Sequence, residues 1–197
     1  MGKFFCVIKF YLVKKILNNL FGKHILIVIP KSQFCEEELN GIRNALQKGG
    51  ANVVVLSKSG QEARGMNKEK FKPDGLIVDW DKQVGVKNKY HAVILVGGKG
   101  AKKSLWDDPI VPQILTDHYR FGSIIGAMGT AIVVLVRAGL VRGEVPKPDD
   151  DVTHKELENL NAVCVDAPIT RVENVVLGQG RNSFHQFSQI IIALLET

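Results

Sequence analysis

The stretch IIGAMGTA (124–131) indicates a corner where chemistry is often found, because a short apolar strand runs directly into an apolar helix. A strand that meets a helix without a loop needs a sharp turn, and such turns present the nucleophile in many α/β enzymes. The residue at this corner is Gly129, which has no side chain. Two interpretations follow: an active site without its reactive atom, or an ordinary tight turn.

The cysteines are the other candidate nucleophiles. Cys6, Cys35 and Cys164 show no metal-ligand spacing and cannot all pair with one another, which favours a reducing compartment and predicts no metal site. Cys164 lies in the strand-like run AVCVD and is expected to be a small buried apolar residue. Cys35 precedes three glutamates in SQFCEEEL (32–39), and on sequence grounds it is more simply a packing residue than a catalyst.

A glycine-rich loop, GGKGAKKS (97–104), follows an apolar strand. Lys103 and Ser104 fit the end of a phosphate-binding P-loop, but Lys102 stands where that motif needs its second glycine. We therefore predict no nucleotide binding here. The simpler interpretation is a turn at Gly97 and Gly98 whose backbone N–H groups are free to face a crevice.

The histidines add no catalytic partner that the sequence can identify. They precede apolar strands or lie on predicted helices: His24, His91, His118, His154 and His185. A base within hydrogen-bond reach of Cys35 in the folded chain would favour catalysis.

Strands and helices alternate along the rest of the chain. The predicted strands are HILIVIP (24–30), ANVVVLS (51–57), GLIVD (75–79), HAVILVGG (91–98), SIIGAM (123–128), AVCVD (162–166) and NVVLGQG (174–180). The predicted helices cover about 36–50, 109–119, 130–138, 153–160 and 182–196, and VPKPDDD (145–151) is expected to be a surface loop. This alternation predicts a doubly wound, mostly parallel sheet with helices on both faces, a flavodoxin-like three-layer α/β sandwich.

The crevice of such a sheet lies beyond the carboxyl ends of its strands. Three loops should therefore converge there: the loops after Pro30 and Val96, and the corner at Gly129. This places Cys35 and the Gly97–Gly98 turn near the corner.

The positive charge of the chain is concentrated at its start. Of 26 basic residues against 20 acidic ones, five lysines precede the first strand, and no acidic residue occurs before Glu36. The body is therefore nearly neutral, and we expect no nucleic-acid partner, which would favour a basic patch on the folded surface.

The first 23 residues are treated as an N-terminal apolar and basic extension, and residues 24–197 as one domain. Lys9, Lys14 and Lys15 interrupt the apolar core that a secretory signal needs. The segment also has no Arg or Ser, as an organelle presequence usually does, and Cys6 makes the myristoylation match at Gly2 partial. We expect a helix that packs on the body or on a partner subunit, or a start codon assigned too far upstream. The alternative is organelle targeting or membrane contact through residues 1–23.

Three blocks of sequence, in order, resemble the ThiJ/PfpI superfamily, which has the class I glutamine-amidotransferase-like fold. They are HAVILVGGKGAKKSLWDDP (91–109), GSIIGAMGTAIVVLVRAGLVRG (122–143) and CVDAPITRVENVVLGQG (164–180). The resemblance covers about residues 23–196. It implies that the nucleophile-elbow cysteine of the family falls on Gly129 and the following residue, often histidine, on Thr130.

The resemblance also implies that the acid poised against that cysteine falls on Cys35. The family's oxyanion-hole N–H groups would come from Gly97 and Gly98. With no thiol at the elbow and no carboxyl at the acid position, we expect no catalytic residues, only a vestigial crevice around Gly129, Thr130 and Cys35. The chain is thus interpreted as a divergent member of the superfamily.

Two functions remain open. The first is a non-catalytic ThiJ/PfpI-like protein, a pseudoenzyme that serves as a binding or oligomeric assembly module. The alternative is a cysteine-dependent hydrolase, glyoxalase or deglycase-like enzyme in which Cys35 is a relocated nucleophile. We expect a cytoplasmic homo-oligomer, a dimer as in its relatives, that needs no cofactor.

Overall fold

The computed structural model describes residues 19–83 and 89–197. Its strands are β1 (His24–Ile29), β2 (Asn52–Ser57), β3 (Ala63–Arg64), β4 (Lys70–Phe71), β5 (Gly75–Leu76), β6 (Ala92–Leu95), β7 (Ile124–Met128), β8 (Glu144–Pro146), β9 (Val163–Val165), β10 (Ile169–Val172) and β11 (Val175–Gly178). Its α-helices are α1 (Glu36–Lys48), α2 (Ala101–Ser104), α3 (Val111–Phe121), α4 (Ile132–Arg137), α5 (Asp151–Asn159) and α6 (Phe184–Leu195). Two 3₁₀ helices cover Ile77–Lys82 and Gly129–Ala131.

The central sheet has seven strands in the order β10-β11-β7-β6-β1-β2-β5. All pairs in it are parallel except β10 with β11. The continuous apolar runs of the central strands suit this arrangement, since parallel strands are covered on both faces. The predicted α/β class, with a mostly parallel sheet flanked by helices, is confirmed.

Each face of the sheet carries its own apolar core. On one face, α1 and α6 pack through residues such as Ile42 and Phe187. On the other face, α3, α4 and α5 pack through residues such as Leu115, Val133 and Leu157. These helices fix the ends of the strands, and therefore the loops that build the site.

Several local predictions differ from the structure. The predicted strand GLIVD is a strand only at Gly75–Leu76, because the chain then turns into a 3₁₀ helix. AVCVD does not enter the main sheet. Its strand β9 pairs with β8, which overlaps the start of the predicted loop VPKPDDD. These short segments lack a periodic signal, and their pairing depends on contacts distant in sequence.

The packed body begins earlier than the predicted boundary at residue 24. Leu20 is fully buried, and its N–H donates to the carbonyl of Gly49 at 2.8 Å, just after α1. The predictions for Gly2, Cys6 and residues 1–18 lie outside the described residues. Within the described ranges, no helix is long and apolar enough to cross a membrane.

His118 is a fully buried residue of α3. Its Nδ1 lies 2.7 Å from the carbonyl oxygen of Ile114, and its ring packs edge-on against Trp80. Its Nε2 is buried without a partner among the described residues. Burial lowers the pKa of this imidazole below its usual 6.5.

The lowered pKa of His118 predicts a pH-dependent stability. In the unfolded chain His118 binds a proton near pH 6.5, whereas in the folded chain it binds one only at lower pH. The free energy of unfolding should therefore decrease as pH falls below 6.5. His118→Phe should remove this part of the dependence, and at neutral pH it should lower stability through loss of the Ile114 hydrogen bond. Urea unfolding at several pH values tests this, and a variant with an unchanged pH profile would contradict it.

Candidate functional site

Hydrogen bonds hold the three predicted loops together at the carboxyl end of the sheet. The N–H of Cys35 donates to the carbonyl of Gly97 at 3.0 Å. Thr130 Oγ1 accepts from the N–H of Gly98 at 2.9 Å and donates to its carbonyl oxygen at 2.8 Å. The predicted convergence of the loops after β1, β6 and β7 therefore occurs, with Thr130 linking the corner to the glycine turn.

Gly129 lies at the corner between β7 and α4, in a left-handed conformation with φ of +49°. Its missing side chain would point toward the crevice: an added Cβ would lie 3.3 Å from Glu38 Oε1 and 3.6 Å from the carbonyl oxygen of Gln179. Side chains rarely adopt this conformation, whereas glycine does so at little cost. The corner therefore has the geometry of a nucleophile elbow, and its residue has no reactive atom.

Glu38 supplies a carboxyl group that the sequence analysis missed. The residue is 3% exposed, and its Oε2 accepts a 2.7 Å hydrogen bond from the N–H of Gly97. The sequence analysis assigned the acid position to Cys35 and so predicted that no carboxyl faces the corner. That prediction is wrong, because the carboxyl of Glu38, three residues further along the chain, faces Gly129. Helical periodicity gives a partial signal, since Glu38 precedes the buried Ile42 by one helical turn and so shares its inward face, but Glu36 is buried as well.

Burial raises the pKa of Glu38 to about 7. The N–H of Gly97, a hydrogen bond with Cys35 and the positive charge of Arg181 oppose this rise, but the loss of hydration outweighs them. The carboxyl therefore exchanges a proton close to neutral pH.

The N–H groups of Gly97 and Gly98 are not free, contrary to the sequence prediction. Gly97 donates to Glu38 and Gly98 donates to Thr130. An oxyanion would have to displace these partners before it could use either donor. The turn therefore positions the buried acid and the corner instead of presenting an open oxyanion hole.

Cys35 is 2% exposed and lies at the start of α1. Its Sγ is 3.4 Å from Glu37 Oε2, so a base is within reach. Burial, reinforced by the negative charge of Glu38 and then by Glu37, raises the pKa of the thiol far above its ordinary value. The surroundings therefore oppose the thiolate that nucleophilic attack requires.

None of the five histidines lines the crevice. His24 and His91 stack at the opposite, amino-terminal end of the sheet, 6.1 Å apart. His154 lies near Glu158 on α5, and His185 packs beside Phe184 on α6. No histidine is therefore available to activate a thiol at the corner or at position 35.

The crevice opens into a cavity of about 510 Å³. Buried Glu38 and Gly129 line it, and the exposed cations Lys99, Lys102 and Arg181 line it as well. Further residues complete the wall: Cys35, Met66, Gly98, Trp106, Thr130, Pro148, Asp149, Asp150, Val152, Thr153, Gln179 and Gly180. This volume lies within the range typical of small-molecule sites.

Trp106 joins the cavity wall to the corner. Its Nε1 donates to the carbonyl oxygen of Thr130 at 2.8 Å, and Lys102 Nζ lies 5.7 Å from the centre of its ring. Among the described residues, no group of three or more His, Cys, Asp or Glu side chains is arranged to hold a metal ion.

A three-layer α/β sandwich in which a sharp strand-to-helix turn faces a buried acid is the arrangement found in α/β proteins that have a nucleophile elbow. The sequence profile described as the DJ-1/PfpI family matches residues 23–194 of the chain. The chain therefore belongs to the DJ-1/PfpI family, which is the ThiJ/PfpI family.

Two curated relatives are similar over most of their length. The uncharacterized protein MJ0967 of Methanocaldococcus jannaschii is 25% identical over 183 residues, which cover 91% of this chain and 85% of the relative. The glutathione-independent glyoxalase DJR-1.2 of Caenorhabditis elegans is 25% identical over 178 residues, covering 88% of this chain and 89% of the relative. The name of the second relative describes that protein's activity.

Solved structures show the same fold. A ThiJ/PfpI domain protein from Brachyspira murdochii aligns with a TM-score of 0.77 at 22% identity, covering 90% of this chain and 96% of its own. DJ-1beta from Drosophila melanogaster aligns with a TM-score of 0.74 at 21% identity, covering 89% and 91%. At these identities the likeness concerns the fold alone.

Proposed function

We propose that this chain is a non-catalytic DJ-1/PfpI protein that acts as a binding module through the crevice beside Gly129. One observation carries the proposal: the residue whose side-chain direction points at the buried acid is a glycine. Covalent chemistry at this corner needs a thiolate or hydroxyl, and Gly129 supplies neither.

The crevice nevertheless keeps the features of a binding site. The cavity is open, and the buried Glu38 lines it although burial makes a charged carboxyl costly. A chain that had no use for this crevice would gain stability by replacing the acid with an apolar residue. Retention of a destabilising polar group beside an open cavity supports ligand binding.

The alternative is an enzyme that uses Cys35. Two observations favour it: Cys35 lines the cavity, and Glu37 is within hydrogen-bond distance of its sulfur. The electrostatic surroundings weigh against it, because burial, and then the neighbouring carboxyl groups of Glu38 and Glu37, disfavour the thiolate. The predicted homo-oligomer and its cytoplasmic location stay predictions, which sedimentation analysis and fluorescence imaging of the full chain would test.

We expect purified protein to consume methylglyoxal no faster than a protein-free control, because the corner lacks a nucleophile and the Cys35 thiol stays protonated. The measurement is methylglyoxal loss and lactate formation for the wild type and Cys35→Ser. Turnover that Cys35→Ser abolishes would establish the alternative. Turnover that survives Cys35→Ser would show that another group performs chemistry and would refute the non-catalytic assignment.

A further inference from the structure

We propose that the crevice binds a small organic monocarboxylate whose oxygen occupies the space above Gly129 and accepts a hydrogen bond from Glu38 Oε1. This inference rests on the proposed binding function and adds the class of ligand. The ligand oxygen lies in the cavity where the outer end of a side chain at position 129 would reach.

The space above Gly129 is bounded by polar atoms. The position of an added Cβ is 3.3 Å from Glu38 Oε1, 3.6 Å from the Gln179 carbonyl oxygen and 3.7 Å from the Cα of Gly180. A ligand atom cannot occupy that position itself, which is one bond length from the Cα of Gly129, so it would lie further out along the same direction, in the cavity that Glu38 also lines. Glycine at this corner therefore leaves the cavity open beside the buried acid.

Glu38 is oriented to donate into that space. Its Oε2 already accepts the N–H of Gly97, so the proton of the neutral acid belongs on Oε1, which faces Gly129. Among the described residues no N–H group donates to Oε1. A neutral carboxylic acid donates strongly to a carboxylate oxygen, because a charged acceptor shortens and strengthens the bond.

The charges around the cavity suit a single negative charge. Lys99, Lys102 and Arg181 line it, and none of them forms an ion pair with another described residue. Asp149 and Asp150 line it too, and Asp150 Oδ1 already accepts the N–H of Thr153 at 2.8 Å. With Glu38 neutral, three cations face two carboxylates, which leaves one positive charge for the ligand to balance.

The rest of the wall is apolar and selects an organic body over an inorganic ion. Met66, Trp106, Pro148 and Val152 all line the cavity. Apolar walls with a few polar groups that fix orientation are typical of small-molecule sites. A compact apolar group attached to the carboxylate would fill a volume that sulfate leaves empty.

Binding should depend on the protonation state of Glu38. The groups around this carboxyl are Cys35 and Glu37 on α1, Arg181 in the loop before α6, and Asp149 in the loop before α5. Burial raises the pKa of Glu38 to about 7, so a ligand that binds only the neutral form should lose about tenfold in affinity between about pH 6 and about pH 8. Phenylacetate stays ionised across that range, so the change reports on the protein.

The experiment is isothermal titration calorimetry of the full chain with phenylacetate, phenylacetamide and sodium sulfate at both pH values. We expect phenylacetate to bind more tightly at the lower pH, and the uncharged amide and the dianion to bind at least about tenfold more weakly. Equal binding of phenylacetamide, or equal binding of sulfate, would overturn the assignment to organic monocarboxylates. Absence of phenylacetate binding at both pH values would overturn it as well.

One variant and its matched control test the position of the ligand. Gly129→Ala fills the space with a methyl group and should abolish binding, whereas Gly139→Ala is the matched control. Gly139 also has a positive φ, +70°, but an added Cβ there meets nothing within 4 Å. Unchanged phenylacetate binding in Gly129→Ala would refute the proposed position.

Glu38→Gln keeps a donor and an acceptor but cannot ionise, so its affinity should be nearly equal at the two pH values. A tenfold pH dependence that persists in Glu38→Gln would refute the role of this carboxyl, even if Gly129→Ala fails to fold. These outcomes can be distinguished from those of the methylglyoxal assay. Failure to bind carboxylates would refute this inference but not the assignment of the protein as non-catalytic. Measurable turnover would refute the proposed function on which this inference rests.

Discussion

Replacing Gly129 with cysteine should create a thiol that iodoacetamide alkylates on the order of a hundredfold faster than Cys35, since only the thiolate reacts. The new sulfur would enter the cavity beside Glu38, whose proton stabilises a thiolate by hydrogen bonding. Cys35 is buried, and the pKa of its thiol is raised by burial and neighbouring carboxylates. Peptide-resolved mass spectrometry at several pH values measures both rates.

The matched control is Gly139→Cys, which places a thiol at a similar left-handed backbone position in open space, away from Glu38. The thiol at position 129 should react faster than this control below about pH 7, where Glu38 holds its proton. Adding Glu38→Ala should remove that advantage. A thiol at position 129 that labels no faster than Cys35 would mean that Gly129 is a packing glycine and not an elbow.

Gly129→Cys should also fold, at a cost of a few kcal/mol at most for a side chain in a left-handed conformation. The nearest obstacle is the end of the Glu38 carboxyl, which is the flexible part of that side chain. With the acid position of the family assigned to Cys35, a thiol at the corner would require Cys35→Glu to gain a carboxyl partner. The structure removes that requirement, because the carboxyl is already present at Glu38.

The free energy of unfolding of Glu38→Gln, relative to that of the wild type, should increase as pH rises. The pKa of Glu38 is raised from 4.5 to about 7 in the folded chain, so the stability it contributes is complete below pH 4.5 and is lost as pH rises through 7. The loss is on the order of 3 kcal/mol at about 1.4 kcal/mol per unit. Glutamine keeps the acceptor for the N–H of Gly97 and carries no charge.

The measurement is the difference in free energy of unfolding between Glu38→Gln and wild type at about pH 4.5 and about pH 8. The matched control is Glu37→Gln. Backbone hydrogen bonding lowers the pKa of Glu37, so this carboxylate contributes stability at high pH that is lost on acidification, and its difference should change in the opposite direction. A Glu38→Gln difference that does not vary with pH would show that the carboxyl is not held in a destabilising environment.

The layer architecture could be predicted from sequence because each central element carries its own periodic signal. The strand HILIVIP is a continuous apolar run, and β1 forms at His24–Ile29. The helix after it carries Leu39, Ile42 and Leu46 on one face and ends at two glycines. The short strands β5, β8 and β9 carry no such signal, since their two or three residues are paired only by the surrounding fold.

The candidate site was only partly predictable. The corner at Gly129 and its approach to Gly97 and Gly98 follow from the rule that loops meet at the carboxyl ends of parallel strands. The identity of the acid did not follow, because EEE at a helix start is equally well explained by favourable charge at the helix N-terminus. Choosing among Glu36, Glu37 and Glu38 requires knowing which of them faces the crevice.

The sequence by itself determined that this protein has a doubly wound α/β fold and that glycine stands where β7 meets the following helix. The tertiary structure alone decided that Glu38 is the carboxyl beside Gly129, that the N–H groups of Gly97 and Gly98 are already bonded, and that an open cavity lies above them. The physical reason is the separation along the chain over which each kind of interaction acts. Periodicity and turn preference act between neighbours along the chain, whereas hydrogen bonding, burial and pKa depend on groups brought together from separate loops.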